Sequence, residues 1–114
     1  MAENEWVKEF PGSIIACDEN GIITDLNDKA AASYATEGGR ALLGTNVLDC
    51  HPEPARTKLG ELMAGRTRNV YTIEKAGVKK LIFQVPRMEE GKFRGYVELS
   101  LEIPFDMPHF LRRG

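Results

Sequence analysis

The chain has 114 residues, one domain's worth, and its 42% hydrophobic and 28% charged residues are ordinary for a folded globular protein. Fifteen basic residues stand against seventeen acidic ones, and Lys79-Lys80 and Arg112-Arg113 are the only adjacent basic pairs, so the footprint of a nucleic-acid binder is missing. No apolar run approaches the roughly 20 residues that span a bilayer, and the acidic start Met1-Ala2-Glu3-Asn4-Glu5 does not read as a secretory signal.

In chain order, Glu3 to Phe10 predicts a short helix with Trp6, Val7 and Phe10 on one apolar stripe, ended by Pro11-Gly12. Ser13 to Cys17 and Ile22 to Leu26 predict two strands of an antiparallel hairpin, because Glu19-Asn20-Gly21 supplies turn residues that tolerate positive φ. Asn27 or Asp28 can cap a helix over Lys29 to Tyr34, closed by Gly38-Gly39. Arg40 to Asp49 predicts irregular turns around Gly44. His51-Pro52-Glu53-Pro54 opens a longer helix to about Ala64, since proline fits a first helical turn. Ala55, Leu59, Leu62 and Met63 would form its buried stripe, and Gly65 its stop.

The remainder predicts strands: Arg68 to Lys75, Val78 to Arg87 and Phe93 to Ile103, joined by turns at Ala76-Gly77 and Glu89-Glu90-Gly91. In the last, Val97, Leu99, Leu101 and Ile103 alternate with Glu98, Ser100 and Glu102. A period of two gives one buried face and one more polar face, and the polar series is expected on the less buried side. The order of elements indicates an α+β fold, with helices over one face of an antiparallel sheet.

Four stretches resemble the PAS family when taken together and in order. They are Asp18-Glu19-Asn20-Gly21-Ile22-Ile23 with Asn27 and Ala30; Leu42-Leu43-Gly44 with His51-Pro52-Glu53; Ile73 to Lys80 around Ala76-Gly77; and Glu89 to Val97 around Glu90-Gly91. Asp49-Cys50-His51-Pro52 is also similar to the PAS segment of bacterial proteins that couple such a domain to a hemerythrin-like one. The resemblance implies a five-stranded antiparallel sheet with the helices between strands two and three packed on one face, to which the apolar stripe of Trp6, Val7 and Phe10 adds the short N-terminal helix. It divides the chain into a flanking helix at 1–11, a PAS domain at 12–104 and a tail at 105–114. It also implies a sensory module that binds a small molecule or cofactor between sheet and helices and signals through protein contacts, and a ligand-free homodimerisation or scaffolding module is the alternative. The output is then a signalling partner protein, or an effector domain not included in this chain.

The candidate pocket residues are Tyr34, Leu43, His51, Met63, Tyr71, Phe83, Val85 and Leu99, large groups with a few polar tips. Gln84 would lie on the face opposite Phe83 and Val85. His51 is a candidate haem ligand, but the same histidine in His-Pro-Glu also begins the helix without a metal, and no metal site is expected. His109 lies in the tail. Cys50 is displaced from the position of the reactive cysteine in flavin-binding light sensors, and the Arg-Phe-Leu-Gln that follows it there is missing, so flavin is not expected. Two cysteines, Cys17 and Cys50, are too few and too far apart for a disulfide framework, and both are expected as reduced, buried thiols in a cytoplasmic protein. Trp6, Val7 and Phe10 are the candidate homodimer contacts, on a helix expected to pack across the outer face of the sheet, its own or a partner's. No phosphate loop, nucleophile elbow or His-Glu-x-x-His supports an enzyme. Turn and cap chemistry accounts for Asp18, Asp25 and Asp28.

Overall fold

The computed structural model describes residues 5–114, apart from the side chain of Cys50. Helix α1 spans Glu5–Glu9, and its expected first turn at Glu3 and Asn4 lies outside the described residues. Strands β1 (Ser13–Cys17) and β2 (Ile23–Leu26) form the hairpin, followed by helix α2 (Asp28–Ser33). Three single 3-10 turns, at Ala35–Glu37, Gly39–Leu42 and Val47–Cys50, lead to helix α3 (Ala55–Gly65). Strands β3 (Asn69–Lys75), β4 (Val78–Glu89) and β5 (Lys92–Ile103) complete one sheet in the order β2-β1-β5-β4-β3. Every neighbouring pair is antiparallel. This is the expected α+β architecture. No helix among the described residues is long and apolar enough to cross a membrane.

The last strand thus becomes the central one, and β5 pairs with β1 on one side and β4 on the other. Gly95 permits this crossing. A Cβ there would lie 1.9 Å from the Cys17 carbonyl oxygen, and its φ of +133° disfavours any side chain. The free edge of β2 is covered by the loop after Leu42. Ile23 N–H donates to the Thr45 carbonyl and Gly44 N–H to the Ile23 carbonyl, both at 2.8 Å. Covering an edge in this way removes a site for strand addition.

Asn27 ties the helices to the hairpin. Its Oδ1 accepts from Ala30 N–H, capping α2, and from Ile14 N–H in β1, each at 3.0 Å. Its Nδ2 donates to the carbonyls of Gly12 at 2.8 Å and Val7 at 3.0 Å. The residue is 4% exposed, so these bonds replace water that cannot reach it. Lys8 and Arg40 both pair with Asp28 at the start of α2.

The register corrects the expected orientation of β5. Ile15, Cys17, Gln84, Tyr96 and Glu98 share the face that the helices cover, because Ile15 pairs with Glu98, Cys17 with Tyr96 and Gln84 with Glu98. Val97, Leu99 and Leu101, with Ile14, Phe83 and Val85, occupy the outer face. The period of two sorts residues into faces correctly but does not say which face receives the helices. That choice follows from β1 and β2, whose inward Ile15, Cys17, Ile23 and Leu26 form the core with Ala30 and Leu42.

Helix α3 also departs from expectation. Its Leu59, Leu62 and Met63 are only half-buried and Ala55 is exposed. It leans over the sheet without closing down on it. The Tyr96 hydroxyl bridges the gap, lying 2.6 Å from the Leu62 carbonyl and against the Thr67 carbonyl, with one proton to donate to either.

Candidate functional site

The space beneath α3 is a cavity of about 130 Å³. Its floor is the covered face of the sheet: Ile15 and Cys17 from β1, Ile23 from β2, Gln84 from β4, and Tyr96 and Glu98 from β5. Its roof is Tyr34 and Leu42 from the α2 region, Val47 and His51 from the turn before α3, and Leu59 and Met63 from α3 itself. Glu37 completes the wall and is exposed.

Of the residues expected in a pocket, the structure brings together Tyr34, His51 and Met63. Leu43 is turned away and 42% exposed, and the preceding Leu42 takes the inward position. Phe83, Val85 and Leu99 lie on the outer face, because each alternates with a residue of the covered face. Tyr71 is on the covered side, opposite Ile82, but 42% exposed and outside the cavity wall. Its hydroxyl is pushed up by partial burial and by the Glu98 charge.

Sequence reasoning missed Glu98 and Gln84 as cavity residues. The available signal was a polar residue in the middle of an apolar strand, Gln84 between Phe83 and Val85 and Glu98 between Val97 and Leu99. Surrounded by apolar neighbours, such a residue is either the solvent side of a strand or a polar group aimed into a site. Here both line the cavity on the covered face.

Burial pushes the Glu98 carboxyl above the ordinary glutamate range, opposed by the His51 charge and by a hydrogen bond from Gln84. Gln84 Oε1 accepts from Asn69 Nδ2 at 3.0 Å, which leaves its own N–H groups for Glu98. His51 Nδ1 lies 2.6 Å from the Val47 carbonyl, so that nitrogen carries a proton and donates it. In the neutral ring Nε2 is then an acceptor. Cys17 is a free thiol, 4% exposed, and burial pushes it up toward the protonated form. A thiol held this way is a poor nucleophile. The expectation for Cys50 falls on a side chain outside the described residues.

No three of the described His, Cys, Asp and Glu residues come together as a metal-binding group. As the side chains stand, the space beneath α3 does not enclose a haem on His51. A cavity of about 150 Å³ holds a single benzene, and a four-pyrrole macrocycle is several times larger than the 130 Å³ present here. The flavin ring system exceeds it as well.

Comparison with solved structures establishes the fold. The chain is similar to the C-terminal domain of a Streptococcus mutans protein, at 21% identity and a TM-score of 0.72, over 88% of this chain and 81% of that one. It is similar to the PAS domain of Bordetella pertussis BvgS, at 15% identity and a TM-score of 0.65, over 90% and 85%. It is also similar to the PAS domain of an HTR-like protein from Haloarcula marismortui, at 15% identity and a TM-score of 0.63, over 90% and 89%. No family model matches the sequence, and no curated protein matches it. The fold of this chain is PAS-like, the class its four sequence stretches resemble.

Proposed function

We propose that this domain is a sensory module that binds a small molecule between sheet and helices and passes the event on through protein contacts. The supporting observation is the cavity itself, apolar over most of its wall and carrying a few convergent polar groups, Glu98, Gln84 and His51. That composition suits a binding site: the apolar wall supplies affinity and the polar groups set orientation. The roof is joined to the floor by the Tyr96 hydroxyl and by partly buried α3 side chains. An occupant that contacts Leu59 and Met63 shifts the position of α3 to the extent that it binds one arrangement better than the other. We read the module as non-catalytic: Cys17 is held protonated, which leaves the wall without an activated nucleophile. The resulting signal goes to a partner protein or an effector domain. The test is mass spectrometry of a denatured extract of freshly purified, untagged protein. One molar equivalent of a compound small enough for the cavity is expected. A tightly bound haem or flavin in its place contradicts the size argument.

A second reading, a homodimerisation module, is favoured by the outer sheet face. Ile14, Phe83, Val85, Val97, Leu99 and Leu101 form an apolar surface left only partly buried, with the Arg68 guanidinium 5.8 Å over the Phe83 ring at one side and Phe10 of the N-terminal segment beside Gly12 and near Leu101 at its border. Exposed apolar patches of this kind mark interaction sites, and a two-fold axis places the same patch on both copies. Trp6 stacks edge-on against Phe10 at 6.3 Å and stays 67% exposed, available to a second chain. Light scattering on Leu99→Arg and on a chain lacking residues 1–10 tests it. A wild-type dimer that becomes monomeric supports this reading, and a monomeric wild type removes it.

A further inference from the structure

The charge pattern of the cavity selects among its possible occupants. Glu98 on the floor and the exposed Glu37 on the wall are the two acidic residues of the lining, and no lysine or arginine lines it among the described residues. Glu98 comes from the central strand, held between Ile15 and Gln84, and its carboxylate has no ion-pair partner among the described residues. The His51 charge and an amide donor from Gln84 ease its burial but do not outweigh it, and neither forms an ion pair with it. The His51 imidazole has Nδ1 committed to Val47, so in the neutral ring it turns an acceptor lone pair, not a donor, to any neighbour. An anion entering this space meets the Glu98 carboxylate and finds no lysine or arginine to bind it. A neutral acceptor finds few donors.

We propose that the cavity takes a compact organic cation of about one six-membered ring, whose N–H donates to Glu98 while its carbons pack on Ile15, Ile23, Leu42 and Val47. This deepens the sensor reading and rests on it. The size follows from the 130 Å³ of space, slightly less than the roughly 150 Å³ that holds benzene. The charge follows from Glu98, because a charge-assisted hydrogen bond in a desolvated site is stronger than a neutral one.

Three rings of one size and shape separate the possibilities: piperidine, which is protonated at neutral pH, tetrahydropyran, which only accepts, and cyclohexane, which does neither. Each is titrated into the full chain and followed by amide and methyl NMR at Ile15, Val47, Met63 and Glu98. Piperidine is expected to bind at least about tenfold more tightly than the other two. Glu98→Gln is expected to abolish that preference and leave cyclohexane binding unchanged, with a thermal melt confirming that the variant is folded. Equal or tighter binding of tetrahydropyran or cyclohexane to the wild type overturns the cation assignment and leaves the cavity as a binding site. The wild-type comparison decides this even if the variant fails to fold. Failure of all three rings to perturb these residues overturns the sensor reading as well.

Discussion

Glu98 concentrates the chemistry of this molecule in one side chain. Its carboxyl is raised above the ordinary value of 4.5 because burial disfavours the charge, more than His51 and Gln84 restore it. The consequence for stability has a definite sign. Below 4.5 both folded and unfolded chains carry the protonated acid, and burial costs no charge. As pH rises, the unfolded chain releases its proton first, and the folded state loses stability until the raised folded value is passed. Glu98→Gln removes that titration. Its melting temperature relative to wild type is therefore expected to rise between mildly acidic pH and pH 8, with the difference shrinking below 4.5. A difference that does not change with pH contradicts a buried, titrating carboxyl.

Among the elements, the junction of α1, β1 and α2 depends on one residue. Asn27 makes both a helix cap and a bracket between segments, accepting with Oδ1 and donating with Nδ2. Asn27→Ala removes the cap and leaves buried backbone groups of Ile14 and Gly12 unpaired, and is expected to cost about 3 kcal/mol in denaturant unfolding. Asn27→Asp keeps the acceptor and loses the donor, so it should fall between the two. Equal stability of all three would show that the junction is held by packing alone. The elements themselves were legible in the sequence, because turn residues and capping are local: Asn20-Gly21, Asn27, Pro54 and Gly91 lie at their ends. The site was legible only in part. Tyr34, His51 and Met63 reach the cavity from segments near the roof. The floor required knowing which face of β4 and β5 the helices cover, and that is set by strands some 80 residues away through the Ile15–Glu98 register. Hydrophobicity alone therefore points Phe83, Val85 and Leu99 inward, while the two polar residues beside them, Gln84 and Glu98, hold those positions.

For the whole molecule, the sheet has two faces of different composition. One face is covered by α3 and the turns before it, which pack loosely enough to leave a cavity. The other is apolar along the middle of β1, β4 and β5, with Lys79, Arg87 and Arg68 at its margins. Because β5 runs through the middle of the sheet, residues on its two sides are adjacent in the chain. Glu98 faces the cavity while Val97 and Leu99 face outward. A change in the occupant of the cavity is thus one peptide unit from the surface proposed to meet a second copy. Coupling of this kind needs no long pathway. It requires only that β5 settle differently when Glu98 has a partner. The central claim is that the cavity is open to a ligand, and xenon tests it most directly, since it enters apolar cavities of this size without requiring any particular chemistry. Under xenon pressure, methyl resonances of Ile15, Ile23, Val47 and Met63 are expected to shift, while those of Val70 and Val85, outside the cavity wall, stay in place. Unchanged methyl resonances in a folded protein would mean that the space is filled by the chain itself, and would contradict the account.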